Sequence, residues 1–360
     1  GSYVALVVRN EGRGMSKFFC LELRILRSSC YSVARCPLQS SFLTLLRATR
    51  GPWGVLRCRP QFYQVYTSLL AALRSSFAGA ADSATFFYTT LDSNQRPVRA
   101  LRHTLGRGLN EDSLVYEESD PRFFVSVTKS ANKEYIFVVT SGNNMSEWHF
   151  VKSATPAENL TLVTPRKPDF EYDVEHHSDY LLIRHNGDGA TDFKLSKTPI
   201  TKPDIRNWTD VIPHQKGIPI TDLSVFEDYY VVSYRDLGLP KIKIYSLNTG
   251  DSYDITPLDE DYDMYVIGET EWNSNILRYG YSSLGRPHCI FDYDMSQRTQ
   301  ILRKQTQVVG SFSASEYITE RTYATASDNT QIPTSPVYRK DTVPTTNTPL
   351  YHNGLRSHGL

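Results

Sequence analysis

From Ala84 onward, apolar and polar residues alternate in short runs separated by turn residues. Aromatic and β-branched runs bounded by Gly, Pro, Asn and Asp read as strands joined into hairpins. Thr85–Thr90 (TFFYTT) is a strand, Asp92–Gln95 a polar turn, and Val98–Leu105 the returning partner. Phe123–Thr128 (FFVSVT) alternates, Ala131-Asn132-Lys133 turns, and Tyr135–Thr140 (YIFVVT) follows, with Trp148–Val151 beyond the turn Gly142-Asn143-Asn144. Glu171–Glu175 and Tyr180–His185 flank a His-Ser-Asp turn. Tyr229–Tyr234 and Lys241–Ser246 flank Leu237-Gly238-Leu239-Pro240, and Ile276–Ser282 and His288–Tyr293 flank Leu284-Gly285-Arg286. Almost no long amphipathic helix pattern interrupts this rhythm before Asp341.

So many short strands in a row predict an all-β fold built from four-stranded units. Propeller blades take on the order of 40–50 residues each, so the stretch from Ala84 to Ser313 holds about five. A sandwich is the alternative, but it is too small for this many hairpins. The expectation is an incomplete β-propeller over 83–313, a short strand segment at 314–341, and poorly structured ends at 1–82 and 342–360.

Charge separates the first eighty residues from the rest. They hold ten Arg and one Lys against only Glu11 and Glu22, a balance of +9; the whole chain is neutral, so the remainder carries −9. Leu, Arg and Ser, the residues with six codons each, make up 32 of those 80 positions, and no steady period is present. A frame-shifted or otherwise mistranslated stretch, an organellar transit peptide, and a genuine extension all fit this composition. The acidic body argues against nucleic acid as a partner, because phosphate neutralisation needs a basic surface. Cys20, Cys30, Cys36 and Cys58 lie in the basic segment without CxxC spacing, and Cys289 stands alone, so neither zinc nor a disulfide scaffold is expected. The most apolar N-terminal run, Ser68 to Ala81, is cut by Arg74 and is too short to cross a membrane. The body reads as cytosolic.

Several landmarks then occur in order: DSLVYEESDPRFFVSV at Asp112–Val127, YDVEHHSD at Tyr172–Asp179, NGDGATDFKL at Asn186–Leu195, RYGYSSLGRP at Arg278–Pro287, LRKQTQVVG at Leu302–Gly310, and YITERTYATASDNTQIPTSPVYRKD at Tyr317–Asp341. Together they resemble the oligopeptidase B branch of the prolyl oligopeptidase family over about Ala84 to Asp341. The resemblance implies a seven-bladed propeller capping an α/β-hydrolase domain with a Ser/Asp/His triad. It also implies a propeller that admits only short peptides, and cleavage after basic residues. On that reading Tyr317–Arg339 is the first hydrolase hairpin, turning at Asp328-Asn329, with Pro336 interrupting its ladder. The family's catalytic groups fall beyond Asp341, so no catalytic residue is assigned in this chain; no cofactor-binding or metal-binding residue and no cofactor is expected either.

The remaining clusters support little chemistry on their own. No G-x-S-x-G nucleophile turn exists; the nearest string, Gly280 to Gly285, has one residue too many and places Ser282 in a hairpin. Glu175-His176-His177 lacks the i, i+4 histidine pair of a zincin and reads as a strand end and turn. Asn186-Gly187-Asp188-Gly189 with Asp192 lacks the later Glu of a calcium loop. Asp259-Glu260-Asp261 with Asp263 reads as a hydrated acidic loop, with a contact for basic peptides as the alternative. Tyr229, Tyr230 and Tyr234 read as blade packing. Three functional readings result: the noncatalytic propeller portion of an oligopeptidase B-like serine endopeptidase; a stand-alone binding module, since fold does not fix function; and a gene-model artefact with no cellular product.

Overall fold

A computed structural model of the chain describes residues 76–268, 271–342, 345 and 347–351, together with the backbone of two N-terminal strands, β1 (Leu6–Glu11) and β2 (Met15–Cys20). Expectations for residues 1–5, 12–14 and 21–75, including Cys30, Cys36 and Cys58, and for most of 342–360 lie outside the described residues. β1 and β2 pair antiparallel from Leu6↔Cys20 to Glu11↔Met15. Val7, Val8, Phe18 and Phe19 supply strand propensity that a search for long periods passes over.

Five four-stranded antiparallel sheets follow, each with its strands hydrogen-bonded in chain order. The first is β3 (Phe77–Gly79), β4 (Thr85–Leu91), β5 (Pro97–Thr104) and β6 (Ser113–Glu117). The second is β7 (Phe124–Lys129), β8 (Tyr135–Ser141), β9 (Ser146–Lys152) and β10 (Thr161–Leu162). The third is β11 (Tyr172–His177), β12 (Tyr180–His185), β13 (Lys194–Pro199) and β14 (Thr209–Ile212). The fourth is β15 (Ile220–Val225), β16 (Tyr229–Asp236), β17 (Leu239–Ser246) and β18 (Ser252–Asp254). The fifth is β19 (Asp263–Val266), β20 (Ile276–Ser283), β21 (Arg286–Asp294) and β22 (Thr299–Gln305). These are blades of an incomplete β-propeller. The first begins at Phe77, upstream of the expected start at residue 83, because Phe77–Gly79 pairs with Tyr88–Phe86. Three residues are too few to show a period of two.

The blades fall into two compact units. Gly1–Ala190 with Lys194–Pro213 contains the first three, and Thr191–Phe193 with His214–Leu360 contains the last two. In the first unit, Phe87 and Ala100 meet Val125, Val127, Ile136 and Val138 between the first and second blades. Phe86 and Tyr88 point the opposite way and pack with Phe77 and Leu101. Residues 85–89 are all buried, which is why TFFYT reads as a continuous apolar run. A second cluster, with Phe137, Trp148, Tyr172 and Ile183, joins the second and third blades. In the second unit, Phe226, Ile242, Ile244, Tyr279, Tyr281 and Phe291 form the core of the fourth and fifth blades.

Turn chemistry sets the hairpin tips. Leu237 (φ 49°) and Gly238 (φ 83°) are both left-handed, and Asp236 pairs directly with Leu239. This tight two-residue turn is of the mirror-image type that matches strand twist, shorter than the four residues expected, and β17 starts at Leu239 rather than Lys241. The fifth-blade hairpin is equally short but of another turn type: Ser283 pairs with Arg286 and leaves Leu284-Gly285 at the tip, neither with a left-handed backbone. The same string, Leu-Gly-Xaa-Pro, therefore closes both hairpins. At the outer edge of the fifth blade, the β21–β22 register slips between Ile290 and Phe291, so Arg303 is the extra residue of a bulge.

After the fifth blade come β23 (Tyr317–Thr319), β24 (Thr322–Thr325), β25 (Gln331–Thr334) and β26 (Val337–Arg339). β24 pairs with β25 around the turn at Asp328-Asn329, where Asn329 has φ 68°, and β23 pairs with β26. The ladder breaks at Glu320-Arg321 opposite Ser335-Pro336. There Glu320 N–H still donates to the Pro336 carbonyl (3.1 Å), but Pro336 has no N–H to return.

Candidate functional site

Among the described residues the acidic run lies against a groove of about 670 Å³ in the second unit, lined by Lys241, Leu258, Glu260, Tyr262, Ile318 and Glu320 among others. Two of its four carboxylates are already engaged. Arg286 donates to Asp259 from Nε (2.9 Å) and Nη2 (3.3 Å), and Tyr281 Oη donates to the same carboxylate (3.1 Å). The backbone N–H groups of Leu258 and Asp259 donate to Tyr281 Oη in turn (3.0 and 2.8 Å). Burial, with Asp259 beside it, pushes the Tyr281 hydroxyl pKa up. Asp261 takes Arg321 Nη1 at 2.6 Å, both side chains being 14 % exposed. Glu260 and Asp263 are exposed and have no ion-pair partner among the described residues. Glu320 accepts from Tyr338 Oη (2.6 Å), and Lys241 is held by Asp236 (2.8 Å). The run is thus half structural: Asp259 and Asp261 tie the loop down, and Glu260 and Asp263 face solvent. Arg286, Glu320 and Arg321 were not singled out from the sequence. The Leu-Gly-Xaa-Pro repeat was the signal available for the first.

The third blade holds a Ser/His/Asp group that the sequence reading also missed. Gly187 N–H donates to His185 Nδ1 (3.2 Å), so that nitrogen is the acceptor and the ring proton sits on Nε2. Nε2–H then donates to Ser196 Oγ (2.8 Å), and Ser196 donates its own proton to Asp210 (2.9 Å), which Lys194 also contacts (3.2 Å). Burial, reinforced by the Lys194 charge, pushes the His185 pKa down to about 4. A nucleophilic serine must give its proton to the imidazole. Here the chain of donors runs the other way, and Ser196 is only 1 % exposed. The group braces β13 against β14 and cannot activate a hydroxyl.

The residues flagged in the sequence resolve in the same direction. Glu175 and His176 point to opposite faces of β11. Asn132 Nδ2 donates to His176 Nδ1 (2.7 Å), the ring lies 4.4 Å from Tyr135, and burial lowers its pKa. His177 stacks on Tyr180 instead. Asp188 faces Lys194 (3.4 Å), whereas Asp192 accepts from Gly217 N–H (2.8 Å) and lies beside His214 (3.5 Å). No group of three His, Cys, Asp or Glu able to hold a metal ion occurs among the described residues. Tyr230 stacks on Tyr245 at 4.6 Å, and Tyr234 donates to Asp254 (2.7 Å). Ser282 lies in β20 opposite Asp263, with no histidine bonded to it. In the first blade, His103 Nδ1 and Tyr88 Oη both bond buried Asp112, each at 2.6 Å. No helix among the described residues is long and apolar enough to cross a membrane.

Comparison with known proteins agrees with this architecture. Residues 64–306 match the family model described as prolyl oligopeptidase, N-terminal beta-propeller domain. Dipeptidyl aminopeptidase BI of Pseudoxanthomonas mexicana is 30% identical over 281 residues, covering 77% of this chain and 38% of that protein. Protease 2 of Moraxella lacunata is 29% identical over 273 residues, covering 76% and 39%. Oligopeptidase B from Leishmania major superposes with a TM-score of 0.67 at 27% identity, over 74% of this chain and 38% of that one. The chain therefore spans well under half the length of these relatives. Five consecutive four-stranded blades, all within the residues matched by the family model, show that this chain belongs to the prolyl oligopeptidase family through its N-terminal β-propeller domain.

Proposed function

We propose that these residues form the noncatalytic propeller of an oligopeptidase B-like serine endopeptidase in the cytosol. In this reading the propeller limits access to short peptides, and cleavage after Lys or Arg is carried out by catalytic groups outside these 360 residues. The observation that carries the reading is the direction of the proton at Ser196. The one buried Ser/His/Asp group found among the described residues donates away from its histidine, and the sequence contains no nucleophile elbow. The likeness to oligopeptidase B structures supports the lineage.

The test is a fluorogenic peptide with Arg before the scissile bond, offered to the purified chain. No turnover is expected. Hydrolysis that a serine-directed inhibitor abolishes would sink the proposal. Hydrolysis that persists in that inhibitor, and equally in a Ser196→Ala variant, marks a contaminating peptidase.

A further inference from the structure

The two Leu-Gly-Xaa-Pro turns do more than close their hairpins. Gly238 needs its left-handed backbone, but Gly285 has no such requirement, since its φ does not lie in the left-handed region. What Gly285 needs is space: a Cβ there would sit 2.8 Å from Thr319 Oγ1 and 3.4 Å from Tyr317 Cβ. The tip of the fifth blade is therefore shaped to receive β23. At the tip of the fourth blade, the Leu237 carbonyl accepts Arg321 Nη2 (2.7 Å), and a Cβ on Gly238 would lie 3.2 Å from that nitrogen. Arg321 Nη1 closes the ion pair with Asp261. Arg321 also stands where the ladder breaks opposite Pro336. Distal to that break, every residue of β24 and β25 is exposed. Proximal to it, β23 is half-buried, and Phe312 stacks on Tyr317 at 5.4 Å.

We propose that the paired Leu-Gly-Xaa-Pro turns form a receptor for the strand leaving the propeller. Arg321 is the latch that holds β23 and the start of β24 against the fourth and fifth blades; the hairpin beyond the Pro336 break, exposed on every residue, is free of them. This inference does not depend on the peptidase reading, because all of its parts lie in the second unit.

Hydrogen–deuterium exchange on the full chain tests it. Arg321→Met keeps the stem but removes both charge-assisted contacts. Exchange in peptides covering 317–325 should rise roughly tenfold, the scale of one such contact, while β16–β17 and β20–β21 peptides keep wild-type protection. Unchanged exchange at 317–325 would overturn the latch. So would a rise across the whole unit, because Arg321 would then be a general brace. Gly285→Ala should loosen the same peptides through the clash with Thr319, and Gly285→Ala with Thr319→Ala should restore them. Wild-type exchange in Gly285→Ala would remove the fifth-blade turn from the receptor.

Discussion

The two compact units are built from the same four-stranded blade yet fill it differently. The first uses aliphatic and Phe side chains and buries imidazoles among them: His103, His176 and His185 are each at most 1 % exposed. The second uses tyrosines whose rings are interior and whose hydroxyls find partners, such as Tyr281 on the 258–259 loop and Tyr279 on Gln300. Burial drives the His176 and His185 imidazoles toward their neutral form, whereas a buried phenol is neutral already at ordinary pH. The architecture is therefore indifferent to which polar ring fills a blade, but the response to acid is not.

The largest effect that would sharpen this contrast is in the first unit's apolar core. Phe87→Ala empties a site that is fully buried between two blades and should cost about 3–5 kcal/mol. Urea unfolding checks it, and a loss under ~1 kcal/mol would mean the blades do not share a close-packed interface.

Acid comes next. The His185 pKa in the native state is about 4, below its unfolded value, and burial holds His149 and His176 down as well. Above roughly pH 6.5 these rings are neutral whether folded or not and cost nothing. Below it the unfolded chain binds protons that the native state refuses, so stability falls from about pH 6.5 to about pH 4. For His185 alone the loss is on the order of 2–3 kcal/mol. Exchange measured through that window should show the first unit loosening before the second, and His185→Asn should flatten the trend. Equal loosening of both units would break the comparison.

A smaller effect belongs to the second unit. Tyr281→Phe leaves the Leu258 and Asp259 N–H groups without their acceptor and should cost about 1–2 kcal/mol, read as a lower urea midpoint. The smallest is Tyr323→Ala in the exposed hairpin, expected to stay within about 0.5 kcal/mol. A larger cost would mean that the Tyr323 ring, over which the Arg321 guanidinium lies at 5.9 Å, helps to hold Arg321 in place.

Local pattern carried most of the fold. TFFYTT, YIFVVT and YYVVSY announce strands by composition and alternation, and Asp328-Asn329 announces its own turn. Their count over a 40–50-residue period gives about five blades, as found. What escaped was either too short or too far apart. β3 has three residues, and the Leu237–Pro240 turn conceals that Leu239 and Pro240 already belong to a strand. The groups that matter at the sites meet across long separations: Arg286 with Asp259, Arg321 with Asp261, and Ser196 between His185 and Asp210. No periodicity brings those partners together, because only the stacking of strands into blades does so. The direction of the Ser196 hydrogen bond is less legible still, since it depends on the Gly187 backbone amide choosing the tautomer of a neighbouring ring.

The bulge at Arg303 has a consequence for handling the protein. β22 is a seven-residue outer strand with Ile301 and Leu302 largely exposed, the sort of border on which foreign chains add themselves. The extra residue kinks its row of amides out of step, and Arg303 spends its charge on Asp292 at that spot (2.8 Å). A visiting strand would lose register at Arg303, which makes this edge a poor template for chain addition.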